Sequence, residues 1–145
     1  MAYWLMKSEP DVYSIDQLKK DKTTCWDGVR NYQARNMMRD DMRKGDGVLF
    51  YHSNCAEPGI VGIAEVSKEG YPDTTIYKGK GNPDPDNPTW YMVDIRYRRK
   101  LKRTITLAEI KAEPALADMQ LVKRGNRLSV MPVSAADWEA LLALE

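Results

Sequence analysis

Gly45-Asp46-Gly47-Val48-Leu49-Phe50-Tyr51-His52, followed after a short polar interval by Pro58-Gly59-Ile60-Val61-Gly62-Ile63-Ala64-Glu65-Val66, is the stretch on which the fold turns. Gly45-Asp46-Gly47 is a turn signal, because glycine and aspartate accept the backbone angles that turns require. The run behind it is dense in β-branched and aromatic residues that fit a pleated surface, so Val48 to His52 reads as a buried strand. Pro58-Gly59 punctuates the chain before a second apolar run, and the two runs predict a β-hairpin. Gly62 inside the second run marks a bulge or the close approach of another backbone.

Outward from this hairpin, Tyr3-Trp4-Leu5-Met6 is a short apolar run halted by Lys7-Ser8-Glu9-Pro10, a first strand entering a turn. Ser14 and Gln17 have the capping-box spacing and open a short helix from Ile15 to Lys20. Between Asn31 and Met42, Ala34, Met37, Met38 and Met42 recur at helical intervals, with Arg35, Arg39 and Arg43 four apart on another face. They predict a second helix, basic on one side. Gly79 to Pro88, rich in glycine and proline, reads as a surface loop. Tyr91, Val93, Ile95, Tyr97 and Leu101 share one parity of an extended segment, and Met92, Asp94, Arg96, Arg98, Lys100 and Lys102 share the other, giving a dry face and a charged face.

Thr106 and Glu109 repeat the capping-box spacing ahead of a helix that Pro114 ends, and Arg127 to Val133 is a further strand candidate. Ser134 caps a last helix whose stripe of Ala135, Trp138, Leu141 and Leu142 docks on the sheet. Several short strands interrupted by helices, without regular alternation, indicate an α+β fold around a mixed or antiparallel sheet.

The 145-residue length fits one domain, residues 1–145, and folding such a chain buries roughly 68 to 70% of its unfolded surface. With 43% hydrophobic and 30% charged residues the composition is that of a globular chain. No apolar run approaches the ~20 residues of a membrane-spanning helix. Met1 to Lys7 lacks the features of a secretory leader, so the expected setting is cytoplasmic, with no membrane and a monomer favoured. Cys25 and Cys55 suggest reduced, buried thiols rather than a disulfide framework. His52 and Cys55 have a His-x-x-Cys spacing, but two cysteines and one histidine are too few for a closed zinc site without carboxylates, so neither metal nor cofactor is expected. The net charge of +1, from 22 basic and 21 acidic side chains, gives no global attraction for nucleic acid. Arg96, Arg98, Arg99, Lys100, Lys102 and Arg103 nevertheless cluster, while Asp84, Asp86 and Glu145 fall elsewhere in the chain, so one basic face is expected.

Trp4 to Pro10, Trp26-Asp27-Gly28-Val29-Arg30-Asn31-Tyr32-Gln33-Ala34-Arg35-Asn36 and Phe50-Tyr51-His52-Ser53 closely resemble the EVE-domain family. Pro58 to Val66, Trp90 to Asp94 and Leu128 to Ser134 extend the resemblance in order along nearly the whole chain. It implies a PUA-like β-barrel with peripheral helices. A more distant similarity to YTH domains, readers of methyladenine, covers Lys7-Ser8, Trp26 and the segment Trp90 to Tyr97, and implies a pocket for a modified base by analogy. There Trp26 matches one wall of an aromatic cage, and Tyr77 and Trp90 are candidates for others. Glu9 stands where YTH domains carry a residue that hydrogen-bonds the base, but it is acidic here, so the base can differ.

A base lifted from its stack needs an aromatic platform, polar groups at its edge and cations for the flanking phosphates. Trp26 can supply the platform, worth about 1 to 3 kcal/mol, or simply pack in the core. Glu9 can accept from an exocyclic amine or stabilise the turn before Pro10. Ser8, Asn31 and Ser53 can read a base edge or satisfy loop backbone. Tyr32 and Trp90 complete the expected base pocket. Lys7, Arg30, Arg35, Arg98 and Lys100 are the expected phosphate contacts, each steepening the salt dependence by ~0.9 on a log scale for duplex DNA. Charges that protect an edge strand are the competing explanation of the Arg96 to Arg103 run.

The favoured partner is therefore nucleic acid, DNA or RNA with a modified base, bound without catalysis. Cys25, His52 and Glu9 keep open an enzyme that processes nucleotides or nucleic acid, although no Walker-type loop or metal cluster accompanies them. An aromatic groove for a protein or small ligand is the third alternative.

Overall fold

The computed structural model describes residues 1–74, 88–125 and 128–145. Among them six strands form one sheet: β1 (Tyr3–Ser8), β2 (Thr23–Cys25), β3 (Gly47–His52), β4 (Gly59–Pro72), β5 (Tyr91–Thr106) and β6 (Val130–Val133), in the order β2-β5-β4-β3-β1-β6. β1 and β3 run parallel and the other neighbours antiparallel, which makes the sheet mixed and the fold α+β. Four helices accompany it: α1 (Ile15–Asp21), α2 (Tyr32–Asn36), α3 (Leu107–Ala112) and α4 (Ala135–Ala143). None is long and apolar enough to cross a membrane.

Strand alternation sorts the side chains into two cores. Trp4 and Met6, Val48 and Phe50, Val93 and Ile95 pack with Ile15 and Leu18 of α1 on the inner face. Leu5, Leu49, Tyr51, Met131 and Val133 take the outer face, covered by Ile110, Leu116, Leu121 and Leu141. Both faces of the sheet are therefore dry, and each fully buried Leu, Ile or Phe contributes about 1.5 to 3 kcal/mol.

The β3–β4 hairpin pairs from Gly47 opposite Glu65 to His52 opposite Gly59. Its register slips after Phe50, which faces Gly62 while Tyr51 faces Ile60, leaving Val61 as the bulged residue. A Cβ on Gly62 would lie 2.4 Å from the Cδ1 of Ile15. Gly62 thus both adjoins the bulge and lets α1 touch the sheet. Trp138 docks as expected, 4.4 Å from the Tyr3 ring centroid and against Gly47, where a Cβ would sit 2.9 Å from the indole.

Other elements differ from expectation for local reasons. The helix expected from Asn31 to Met42 is α2 followed by a π-helical turn, Met37–Asp41, closed by Met42 N–H donating to the Met37 carbonyl at 2.9 Å. The wider turn keeps Met38 and Met42 in the core and lies against Gly70 of β4, where a Cβ would be 2.5 Å from the Met38 carbonyl oxygen. β2 has only three residues, too few to register as a period. β4 and β5 run past their expected ends because they pair with each other as far as Pro72 opposite Tyr91 and Gly59 opposite Thr106. The strand expected from Arg127 starts at Val130, and residue 127 lies outside the described residues, as does all but Pro88 of the loop expected from Gly79 to Pro88. The Thr106–Glu109 capping box is complete. The Ser14–Gln17 box is half made, because the Gln17 amide turns to Asp21. The thiols are free, but Cys25, at the end of the edge strand β2, is exposed, and Cys55, between β3 and β4, is half-buried.

β2 and β6 are the two edges of the sheet, yet Thr24 and Cys25 of β2 and Ser129 beside β6 line one cavity. The sheet curls until its edges face each other across a gap, as twisted and bulged sheets do. The result is a barrel with an open seam.

Candidate nucleic-acid interface

The seam holds a cavity of about 740 Å³. Because β1 and β3 are parallel, Ser8 and His52 end their strands side by side, and the Ser53 amide donates to the Ser8 carbonyl at 3.0 Å. Lys7 N–H donates to the Ser129 carbonyl at 2.8 Å, which brings the start of β6 to the same rim. The opposite wall is β2 and the loop after it, from Thr24 to Arg30. Lys7, Ser8, Glu9, Trp26, Arg30 and Ser53, expected from the sequence to share a site, all line this cavity.

Trp26 is 7% exposed. Its ring meets Phe50 edge-on at 5.5 Å in the inner core while also lining the cavity, and its backbone N–H donates to Val93 at 2.7 Å. Core packing and cavity wall are one role here. Glu9 Oε1 accepts from Asn54 Nδ2 at 3.0 Å, and Oε2 takes no hydrogen bond from a described residue. Ser8 Oγ donates to the Tyr13 carbonyl at 2.7 Å, so its hydroxyl proton is committed and its lone pairs remain. The Ser53 hydroxyl makes no side-chain bond to a described residue. Lys7 sits 5.7 Å from the Tyr51 ring centroid, and burial lowers its pKa.

Arg30 does not reach outward. Its side chain is 6% exposed and its Nη1 donates to Asp73 Oδ2 at 2.9 Å. The same oxygen accepts from the N–H of Gly28 at 2.9 Å, and Gly28 has φ +78°, a conformation glycine enters freely. Asp73 N–H in turn donates to the Trp90 carbonyl at 2.9 Å. This fully buried carboxylate therefore holds the Trp26–Arg30 wall against the β4–β5 end. No sequence pattern marks Asp73, which lies beyond the run that signalled β4.

The other expected site residues form different groups. Asn31 Oδ1 caps α2 by accepting from Ala34 N–H at 3.0 Å. Tyr32, 61% exposed, stacks on buried Trp90 at 5.0 Å and 32°. Arg35 lies 5.1 Å from the Tyr32 ring and donates to the Thr89 carbonyl at 2.8 Å. None of Asn31, Tyr32, Arg35 and Trp90 lines the seam cavity, and Tyr77, Asp84 and Asp86 lie outside the described residues.

The basic stretch of β5 is a mixed-charge ladder, not a uniformly basic face. Arg96 and Arg98 converge on Glu65, the latter at 3.5 Å; Lys100 pairs with Asp16 at 2.8 Å and Arg103 with Glu109 at 2.6 Å. Glu145, remote in sequence, folds back onto Arg99 at 2.9 Å. The Arg99 guanidinium and the Lys102 N–H hold its carboxyl down to about 2.

Cys25 lines the cavity, but partial burial and the carboxylates of Asp27 and Asp94 push its thiol up, away from the thiolate. His52 Nε2 accepts the Ile15 N–H at 3.1 Å, which requires a neutral ring with its proton on Nδ1. Burial lowers its pKa, against a partial upward pull from Asp16.

A six-stranded mixed barrel open at a seam, with an aromatic and carboxylate cavity there, is the architecture expected of a PUA-like EVE domain. The EVE domain family matches residues 2–144, and the chain belongs to that family. Human thymocyte nuclear protein 1 is 46% identical over 99% of this chain and 74% of its own length. A Pseudomonas syringae protein of known crystal structure superposes with a TM-score of 0.92 at 45% identity, covering 99% of both chains. Human THYN1 protein, crystallised in complex with DNA containing 5-methylcytosine, gives a TM-score of 0.88 at 44% identity over 99% of this chain and 97% of that one.

Proposed function

We propose that this chain is a non-enzymatic nucleic-acid-binding module whose seam cavity receives one modified base from a DNA strand, in the class represented by 5-methylcytosine. The observation that carries this reading is the convergence of Trp26, Ser8, Glu9 and Ser53 on one cavity of about 740 Å³, a size suited to a single nucleotide. The complex of the human relative with 5-methylcytosine DNA supports the choice of base.

In this reading the flipped base stacks on the exposed part of Trp26, offsetting part of the few kcal/mol that unstacking costs. Glu9 Oε2 accepts from the exocyclic amine of cytosine, a pairing carboxylates favour. The lone pairs of Ser8 and the hydroxyl of Ser53 address the remaining edge. Val29 in the loop wall and Val12 at the rim offer apolar contact to a ring methyl. Arg30 positions the wall through Asp73, and Lys7 is the cation at the rim.

Nucleophilic catalysis is disfavoured by a Cys25 thiol held protonated and a His52 lone pair already engaged by backbone. A DNA ligand also moves the expected compartment from the cytoplasm at large to wherever the chromosome lies.

Fluorescence anisotropy with matched oligonucleotides carrying cytosine, 5-methylcytosine or 5-hydroxymethylcytosine, in DNA and RNA, tests the reading. The expected result is tighter binding of one modified DNA, and loss of that preference in Trp26→Leu by about 1 to 3 kcal/mol. Equal affinity for every oligonucleotide, unchanged by Trp26→Leu, would sink it.

A further inference from the structure

A second cavity, of about 690 Å³, lies on the outer face of β1 and β3 beneath α3 and the segment that follows it. Lys7 and Tyr51, cross-strand partners, form its floor. Lys111 of α3 and the turn Lys123-Arg124-Gly125 form its rim. The turn is set by Lys123 N–H donating to the Gln120 carbonyl at 3.1 Å and by Gly125 at φ +82°.

Among the described residues four cations line this cleft and no carboxylate does. That is unusual in a chain with 22 basic and 21 acidic residues, and it contrasts with β5, where five of the clustered cations have carboxylate partners. Lys7, Lys111, Lys123 and Arg124 take part in no ion pair with a described residue. Lys7 is half-buried beside an aromatic ring, a position that an incoming anion would relieve. Tyr51, its hydroxyl pushed up to about 12 by burial, stays neutral and adds no negative charge. Lys7 also lines the seam cavity, so the two sites adjoin.

We infer that this cleft is a phosphodiester-binding site, holding the backbone next to the base in the seam through Lys7, Lys111, Lys123 and Arg124. The inference rests on the nucleic-acid reading above but not on which base is read. It also relocates the backbone contacts from the ion-paired Arg98 and Lys100 to a cleft of which the sequence singled out only Lys7.

The test is the salt dependence of binding by the full chain, using the same DNA oligonucleotides with and without 5-methylcytosine. The triple variant Lys111→Ala, Lys123→Ala, Arg124→Ala changes only exposed side chains. It is expected to weaken modified and unmodified DNA alike, by about tenfold at low salt, and to flatten the log–log salt slope by about 0.7 to 0.9 for each phosphate left without its cation. The preference for the modified base should survive. Arg124→Glu alone repeats the test with one substitution. An unchanged slope in the triple variant, or a slope flattened by Arg98→Ala, Lys100→Ala instead, overturns the cleft. A flattened slope with no preference for any modified base supports the cleft and rejects the reader. Absence of binding to every oligonucleotide rejects both.

Discussion

The seam cavity and the outer cleft share Lys7 and have similar volumes, about 740 and 690 Å³, yet their linings are chemically opposed. The seam carries Trp26 with the carboxylates of Glu9 and Asp27 beside Lys7 and Arg30, whereas the cleft carries cations without a carboxylate among the described residues. In the proposed reading the seam, where carboxylates offset the cations, gives a base stacking and amine recognition, while the cleft gives a phosphate its cations. Different linings on either side of one strand would sort a nucleotide into base and backbone in that reading.

The largest expected effect breaks the comparison at the seam wall. Asp73→Ala removes the fully buried carboxylate that ties Arg30 and Gly28 to the β4–β5 end and should lower stability by about 3 to 5 kcal/mol in urea unfolding, whereas the exposed cleft substitutions should stay within about 0.5 kcal/mol. Glu9→Gln sharpens it. Loss of a charged acceptor should weaken the modified base by about 1.5 to 3 kcal/mol and leave the salt slope intact. The smallest effect is a pH dependence. His52 accepts its hydrogen bond from Ile15 only when neutral, and burial holds its folded pKa below the ordinary 6.5. The unfolded chain therefore takes up the proton first, so this stability is complete above about pH 6.5 and declines as the pH falls toward the lowered folded value. As the chain's one histidine, His52 reports directly by NMR titration, and an imidazole pKa above 6.5 would contradict the assignment.

The elements were largely legible because the strands carry period-2 patterning and the helices carry caps, Ser14, Thr106 and Ser134 each accepting the expected backbone hydrogen bond, whereas closure into a barrel was implied only by the family resemblance. β2 was not, since three residues give no period and its pairing partner, β5, is about 70 residues away. Half of the seam was legible because Ser8, Glu9, Trp26 and Ser53 lie in dense motifs. Asp73 was hidden because its role depends on contacts with Gly28 and Arg30 across more than 40 residues. Charge misled in a consistent way. The densest cationic run acquired partners from Glu65, Asp16, Glu109 and Glu145, most of them distant in sequence, while Lys7, Lys111, Lys123 and Arg124 met no carboxylate among the described residues. Neighbours along the chain count charges, but only the fold pairs them.

The most direct test is an NMR titration of the full chain with two single-stranded DNA oligonucleotides that differ only in one 5-methyl group. Two of the four tryptophans provide internal references: Trp4 is tied to Asp46 through its indole N–H at 3.0 Å, and Trp138 is stacked on Tyr3. The account predicts that the Trp26 indole and the Ser53 amide shift more with the methylated strand, while Trp4 and Trp138 stay in place. A Trp26 signal that does not move at saturation, or moves equally with both strands, would contradict the assignment of the seam cavity as the base site.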